Sequence, residues 1–185
     1  MNNAPRTTGF RSKGRAMEIT FIKLPGNRHA IEVRGRTGPD IRRPPRETGP
    51  TIPHDLAHAA VEEALNLDGG FWESIRLGAT YGDFEPLERR RHRRSGLKVL
   101  RKMAPRVMEA EMAVSWAHRV WSGQRTAGPG LGHAPICEAD VIRACAALDR
   151  ARALWDAIPE GKALTWQWVR LKAGKHECRP IPYPS

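Results

Sequence analysis

"MEITFIKLPGNRHAIEVR", residues 17–34, decides the fold. Met17, Ile19 and Phe21 alternate with Glu18 and Thr20, and beyond Pro25-Gly26-Asn27 the alternation resumes through Ile31 and Val33. A period of two on both sides of a turn predicts an antiparallel hairpin. A lone hairpin is marginal in water and needs a partner. "ALTWQWVRL", 163–171, sets Leu164, Trp166 and Trp168 against Thr165 and Gln167 and supplies a third strand. The class implied is α+β: a small antiparallel sheet, made of the N-terminal hairpin and the C-terminal strand, packed against about five helices on one face.

Five segments between the strands carry helical spacing. The first runs from Pro53 to about Leu67 and stops at "DGG"; the second is the short "FWESIRLGA", 71–79. Asp83 can cap a third over 84–103, Pro105 opens a fourth to Trp121, and the fifth spans 138–157. "GRTGPDIRRPPRETGPTI", 35–52, is too rich in Gly, Pro and Arg for a helix or a central strand and reads as an exposed connection. "SGQRTAGPGLGHAP", 122–135, reads as a flexible link. The organisation expected is a disordered basic tail over 1–16, one domain over 17–172 and a proline-rich tail over 173–185. No repeat of fixed period occurs.

At 185 residues the chain fits a single domain. Its hydrophobic share of 40% and charged share of 28% exclude a disulfide scaffold or a membrane protein. No run of about eighteen uncharged apolar residues is present, so no membrane role is expected. Cys137, Cys145 and Cys178 are odd in number and lack CxxC spacing, which suits a reducing cytoplasm. The net charge of +11 creates a field attractive to nucleic acid, acidic proteins or anionic lipid without choosing among them.

Chemistry concentrates in "PHDLAHAAVEEALNLDGGFWESI", 53–75. His54 and His58 are one turn apart, at the border between an apolar arc and a polar side that holds Asp55, Glu62 and Glu63. Two imidazoles separated by about 6 Å of helix can share one ion. Glu62 lies too far along the axis to be an equal ligand, so the third must come from elsewhere. Glu111 and His118 on the fourth helix are the candidates, with Glu73 a further one. Two imidazoles and a carboxylate accept one divalent metal ion, Zn, Fe or Mn. Asp55 and Glu62 are candidate proton relays. The competing account is structural: His58 pairs with Glu62 at i+4, His54 bonds a loop carbonyl, and Asp55 favours the helix N-terminus.

The pattern His54-Asp55-x-x-His58 resembles the zincin metalloprotease helix HExxH, with aspartate replacing the glutamate that serves there as general base. It also resembles the ubiquinone-biosynthesis family whose zinc motif is HDxxH followed by a glutamate twelve positions after the second histidine; here that position is Gly70. Over about residues 17–80, "PHDLAHAAVEEALNL" with "GGFWESIRLGA" is similar to small uncharacterised bacterial proteins with a hairpin, an HDLxHxxVE helix and a GFW segment. That resemblance implies the architecture and brings no activity.

A second functional feature is "ERRRHRR", 88–94, where Arg89, Arg90, Arg91, Arg93 and Arg94 open a basic helix over 88–106. Such a run can neutralise phosphates, but it equally suits a solvated face that Glu85 and Glu88 partly balance. Two functions follow: a metal-binding or metal-dependent hydrolase-like domain using the HDxxH helix, or a non-enzymatic domain that binds nucleic acid or an acidic protein through the basic helix.

Overall fold

A computed structural model describes residues 16–88, 96–124, 126 and 134–169. The hairpin forms as the alternation requires, with β1 (Met17–Leu24) antiparallel to β2 (Arg28–Arg34) across a turn in which Gly26 and Asn27 take positive φ. β5 (Ala163–Trp168) pairs antiparallel with the other edge of β1, Met17 opposite Trp168 and Phe21 opposite Leu164. The inward residues Met17, Ile19, Phe21, Ile31 and Val33 are fully buried.

Two further strands extend the sheet beyond the hairpin and C-terminal strand. β3 (Ile41–Glu47) and β4 (Glu85–Pro86) complete the order β4-β3-β2-β1-β5. β3 falls in the stretch whose two prolines argue for an exposed connection. Pro44 and Pro45 are tolerated because the register with β2 slips between His29 and Ile31, so the ladder is irregular where their missing N–H groups fall.

Four helices stand among the described residues: α1 (His54–Ala64), α2 (Phe71–Arg76), α3 (Leu97–Trp121) and α4 (Glu138–Asp156). The separate helices expected over 84–103 and 105–121 are not what forms. Residues 85–86 pair with β3, and one helix runs from Leu97 through Pro105. Pro105 is solvent-exposed, so water can serve the carbonyl of Arg101 that loses its donor. Gly96 precedes α3 at φ +70°, where a Cβ would press on the Gly78 carbonyl oxygen at 2.7 Å. Asp83 does not cap a helix; it pairs with Arg43 and Arg46 of β3.

α1 is packed against α2, α3, α4 and β5, which leaves little of its surface to water. Leu56, Ala57, Ala59, Ala60 and Val61 are buried, and so are Asp55 and Glu62, which a wheel assigns to a polar side. One continuous core joins the sheet, α1, Trp72 and Ile75 of α2, Val114 of α3 and Leu148 and Trp155 of α4. No helix among the described residues is long and apolar enough to cross a membrane.

The basic tail and proline-rich tail lie outside the described residues, as do Arg89, Arg90, Arg91, Arg93 and Arg94. Within the described residues acids slightly outnumber Lys plus Arg, so the basic excess resides wholly in sequence beyond them. Cys137 is disulfide-bonded, Cys145 is a free thiol and Cys178 lies outside the described residues. The reduced state expected of all three does not hold at Cys137.

Candidate metal centre

His54 opens α1 directly after Pro53, whose missing N–H costs nothing at a helix start, and His58 follows one turn later on the same side. That side meets α3 at Glu111. His58 Nε2 lies 3.0 Å from Glu111 Oε2 and 3.2 Å from His54 Nε2, while His54 Nε2 lies 3.6 Å from Glu111 Oε1. In a tetrahedral site with metal–ligand bonds of about 2.0–2.1 Å, neighbouring donors are about 3.3 Å apart. The three donors therefore already sit near the edges of such a polyhedron. The two rings meet edge to face with centroids 4.8 Å apart.

Exposure differs sharply within the group. The His58 side chain is 4% exposed, whereas His54 is 59% and Glu111 47% exposed. Three donors with an open side match the ligand count of a catalytic rather than a closed structural centre. His118 is not part of the group; it packs on Trp121, where burial above all lowers its pKa. Glu73 is also outside it and binds Arg76 through both oxygens at 2.7 Å.

Glu62 fixes the orientation of His58. Its Oε1 accepts the His58 Nδ1–H at 2.8 Å and the Phe71 N–H at 2.8 Å, and its Oε2 accepts the Trp72 N–H at 3.1 Å. The acceptors thus serve the first N–H groups of α2, which lack partners within the helix. A histidine whose Nδ1–H is held by a carboxylate presents Nε2 outward, the arrangement that orients ligating histidines. Glu62 is buried, and all three donors leave it no free face towards the open side.

Gly70 makes this seat possible. A Cβ there would overlap the Glu62 carboxylate, although φ of −64° suits any residue. The "DGG" stretch thus does more than stop α1. Gly70→Ala is expected to displace Glu62 and cost about 1–3 kcal/mol of stability. Chemical denaturation checks this, and a stability equal to wild type would show that the carboxylate has room to move.

The other end of α2 is held by Arg36, a residue expected in an exposed connection. It is buried, donates to the carbonyls of Ile75 at 3.0 Å and Ala79 at 2.6 Å, and burial lowers its pKa to about 10. α2 is therefore bracketed, by Glu62 at its start and Arg36 at its end. Nothing in the periodicity marks Arg36, because a buried arginine that caps carbonyls has no spacing signature.

Asp55 faces the sheet. Its carboxylate pairs with the buried Arg43 of β3 and lies 3.9 Å from His29 Nε2, while His29 Nδ1 is 3.2 Å from Thr48 Oγ1. Burial alone would raise the Asp55 carboxyl; His29 and Arg43 outweigh it and lower the pKa to about 2. Consecutive residues of α1 thus serve different neighbours, His54 the α3 side and Asp55 the strands.

For His58, burial alone would depress the pKa, but Glu111 and Glu62 hold the ring between two carboxylates and raise it to about 9. Hydrogen bonds from His54 and then His58 lower Glu111 well below the usual carboxylate range, with burial opposing. A stability–pH dependence follows for metal-free protein. The raised His58 pKa contributes stability that is full below about 6.5 and lost as pH rises through about 9. The depressed Asp55 pKa contributes stability present above about 3.8 and lost as pH falls through about 2. Urea midpoints at pH 5.5, 7.5 and 9.5 should fall over the last two, and a flat profile would refute the assignment for His58.

Comparison with protein-family models, curated proteins and solved structures found no match.

Proposed function

We propose that the chain binds one divalent metal ion, zinc, iron or manganese, through His54, His58 and Glu111, and that this centre has hydrolase-like chemistry. The observation behind it is the His58 ring: buried, fixed at Nδ1 by Glu62, and turned at Nε2 towards two further donors at 3.0 and 3.2 Å. When bound, such an ion polarises a substrate oxygen and lowers the pKa of water. His54 and Glu111, half-exposed or more, form the open side on which a substrate is reached. Glu62 positions His58, and Asp55 anchors the start of α1 through Arg43. Neither of these two carboxylates is free to take a proton from a molecule at the open side, since both are buried against donors.

Metal uptake must displace the proton that His58 carries below about pH 9. Affinity should therefore rise by about tenfold per pH unit below that value. The direct test is metal analysis of protein purified without a polyhistidine tag, alongside His54→Ala with His58→Ala. Stoichiometric metal in the wild type and its loss in the double variant are the expected result. A wild type that stays metal-free after incubation with zinc, manganese and iron would leave His58 as an ion-pair staple between α1 and α3.

A non-enzymatic reading, with nucleic acid or an acidic protein as partner, keeps one support. Lys98, Arg101 and Lys102 are exposed on the first turns of α3, directly after the arginine-rich sequence. Titration with duplex and single-stranded DNA and RNA at two salt concentrations tests it; absence of binding at low salt would end it.

A further inference from the structure

Separate from the metal centre, a cleft opens among the described residues at the β3–β4 edge, with a volume of about 390 Å³ and a lining that includes Arg43, Pro44, Arg46, Asp83, Phe84 and Glu85. That size lies within the range of small-molecule sites. Its floor is unusual in carrying a charge: Arg43 is 7% exposed, and its guanidinium lies over the Phe84 ring at 4.3 Å. One side of Arg43 is neutralised by Asp55. On the other, Asp83 Oδ2 is 2.9 Å from Nε, yet the Nε–H makes no hydrogen bond, because the carboxylate lies off the N–H direction.

Asp83 is an ill-fitting occupant of this place. It also reaches Arg46 Nη1 at 3.1 Å, but its side chain is 45% exposed and Arg46 is 50% exposed. An ion pair so open to solvent is worth little and is readily exchanged. With nearly half of its side chain already in solvent, Asp83 has room to swing away from the arginines. Glu85 does not compete for the two arginines, since Arg42 holds it at 2.8 Å. Arginine forks favour two-oxygen partners in their own plane, which a ligand carboxylate can adopt and the tethered Asp83 does not.

We propose that this cleft binds a small organic carboxylate, with Asp83 as the displaceable group that holds the arginines in its absence. The ligand's two oxygens engage Arg43 Nε and Arg46, and its apolar body lies against Pro44 and Phe84. This site is independent of the metal centre: its ligand requires neither histidine.

The test is calorimetric titration of metal-free protein at low salt with benzoate as the probe and benzamide, its neutral counterpart, as the control. Wild type, Asp83→Asn, Asp83→Ser and Arg46→Ala are compared. Removing the internal carboxylate by either Asp83 substitution should tighten benzoate by about tenfold, and Arg46→Ala should weaken it by about tenfold. Benzamide should not bind. Benzoate affinity unchanged in both Asp83 variants, or benzamide binding as well as benzoate, would overturn the proposal.

Discussion

Glu62→Gln is expected to lower zinc affinity by about 10–100-fold, the usual cost of losing a group that orients a ligating histidine. The wild-type carboxylate accepts from His58 Nδ1, Phe71 N and Trp72 N, all three of them donors. An amide cannot reproduce this, because whichever way it is turned its NH₂ meets a main-chain N–H. The charge that strengthens His58 as a ligand is lost as well. A stability cost of about 1–3 kcal/mol should accompany the loss, from the donor left without an acceptor. Competition against a chromophoric zinc chelator measures the affinity and urea denaturation the stability. Glu63→Gln serves as the control, since Glu63 binds Trp166 Nε1 at 2.7 Å and touches no ligand. Equal zinc affinity in Glu62→Gln and wild type would mean that Glu62 does not orient His58.

Asp55→Ala should be the most destabilising single change, about 3–5 kcal/mol. Arg43 is buried against two aromatic rings, Phe84 at 4.3 Å and Phe71 at 5.8 Å, and Asp55 is its buried counter-ion. Without Asp55 the guanidinium is left with the exposed Asp83 alone, and His29 loses its nearest charge. Arg43→Met with Asp55→Leu should recover much of the loss, since replacing both partners by apolar groups removes the desolvation cost. Thermal unfolding of the single and double variants reads both effects. A cost below about 1 kcal/mol for Asp55→Ala would show that the pair is not what fixes the start of α1 to the sheet.

The parts of this fold legible in sequence are those where side-chain spacing follows burial. β1, β2 and β5 alternate because one face meets the helices, and a strand with that pattern cannot be stable alone, which leads from residue 17 to residue 168. β3 escapes because Pro44 and Pro45 break the pattern and because its inward position at 43 carries an arginine. α1 was legible as a helix, but its wheel misassigns Asp55 and Glu62, since a helix surrounded by other elements buries polar residues wherever partners exist. The site divides in the same way. The i, i+4 spacing selects His54 and His58, and the flank of the α3 stripe offers Glu111 and His118 as equals; only the crossing of α1 and α3 separates them. Gly70, Arg36 and Arg43 had no signal, because each is defined by a neighbour distant in sequence.

The pairing of β5 with β1 has a consequence for synthesis. β1 leaves the ribosome long before β5, so its second edge stays uncovered until residues about 150 positions later are made, and native closure across such distant contacts should be slow. Until then a fully apolar row, Met17, Ile19 and Phe21, lies beside open main-chain donors and acceptors. A nascent or truncated chain ending before Ala163 should therefore be the form most prone to self-association.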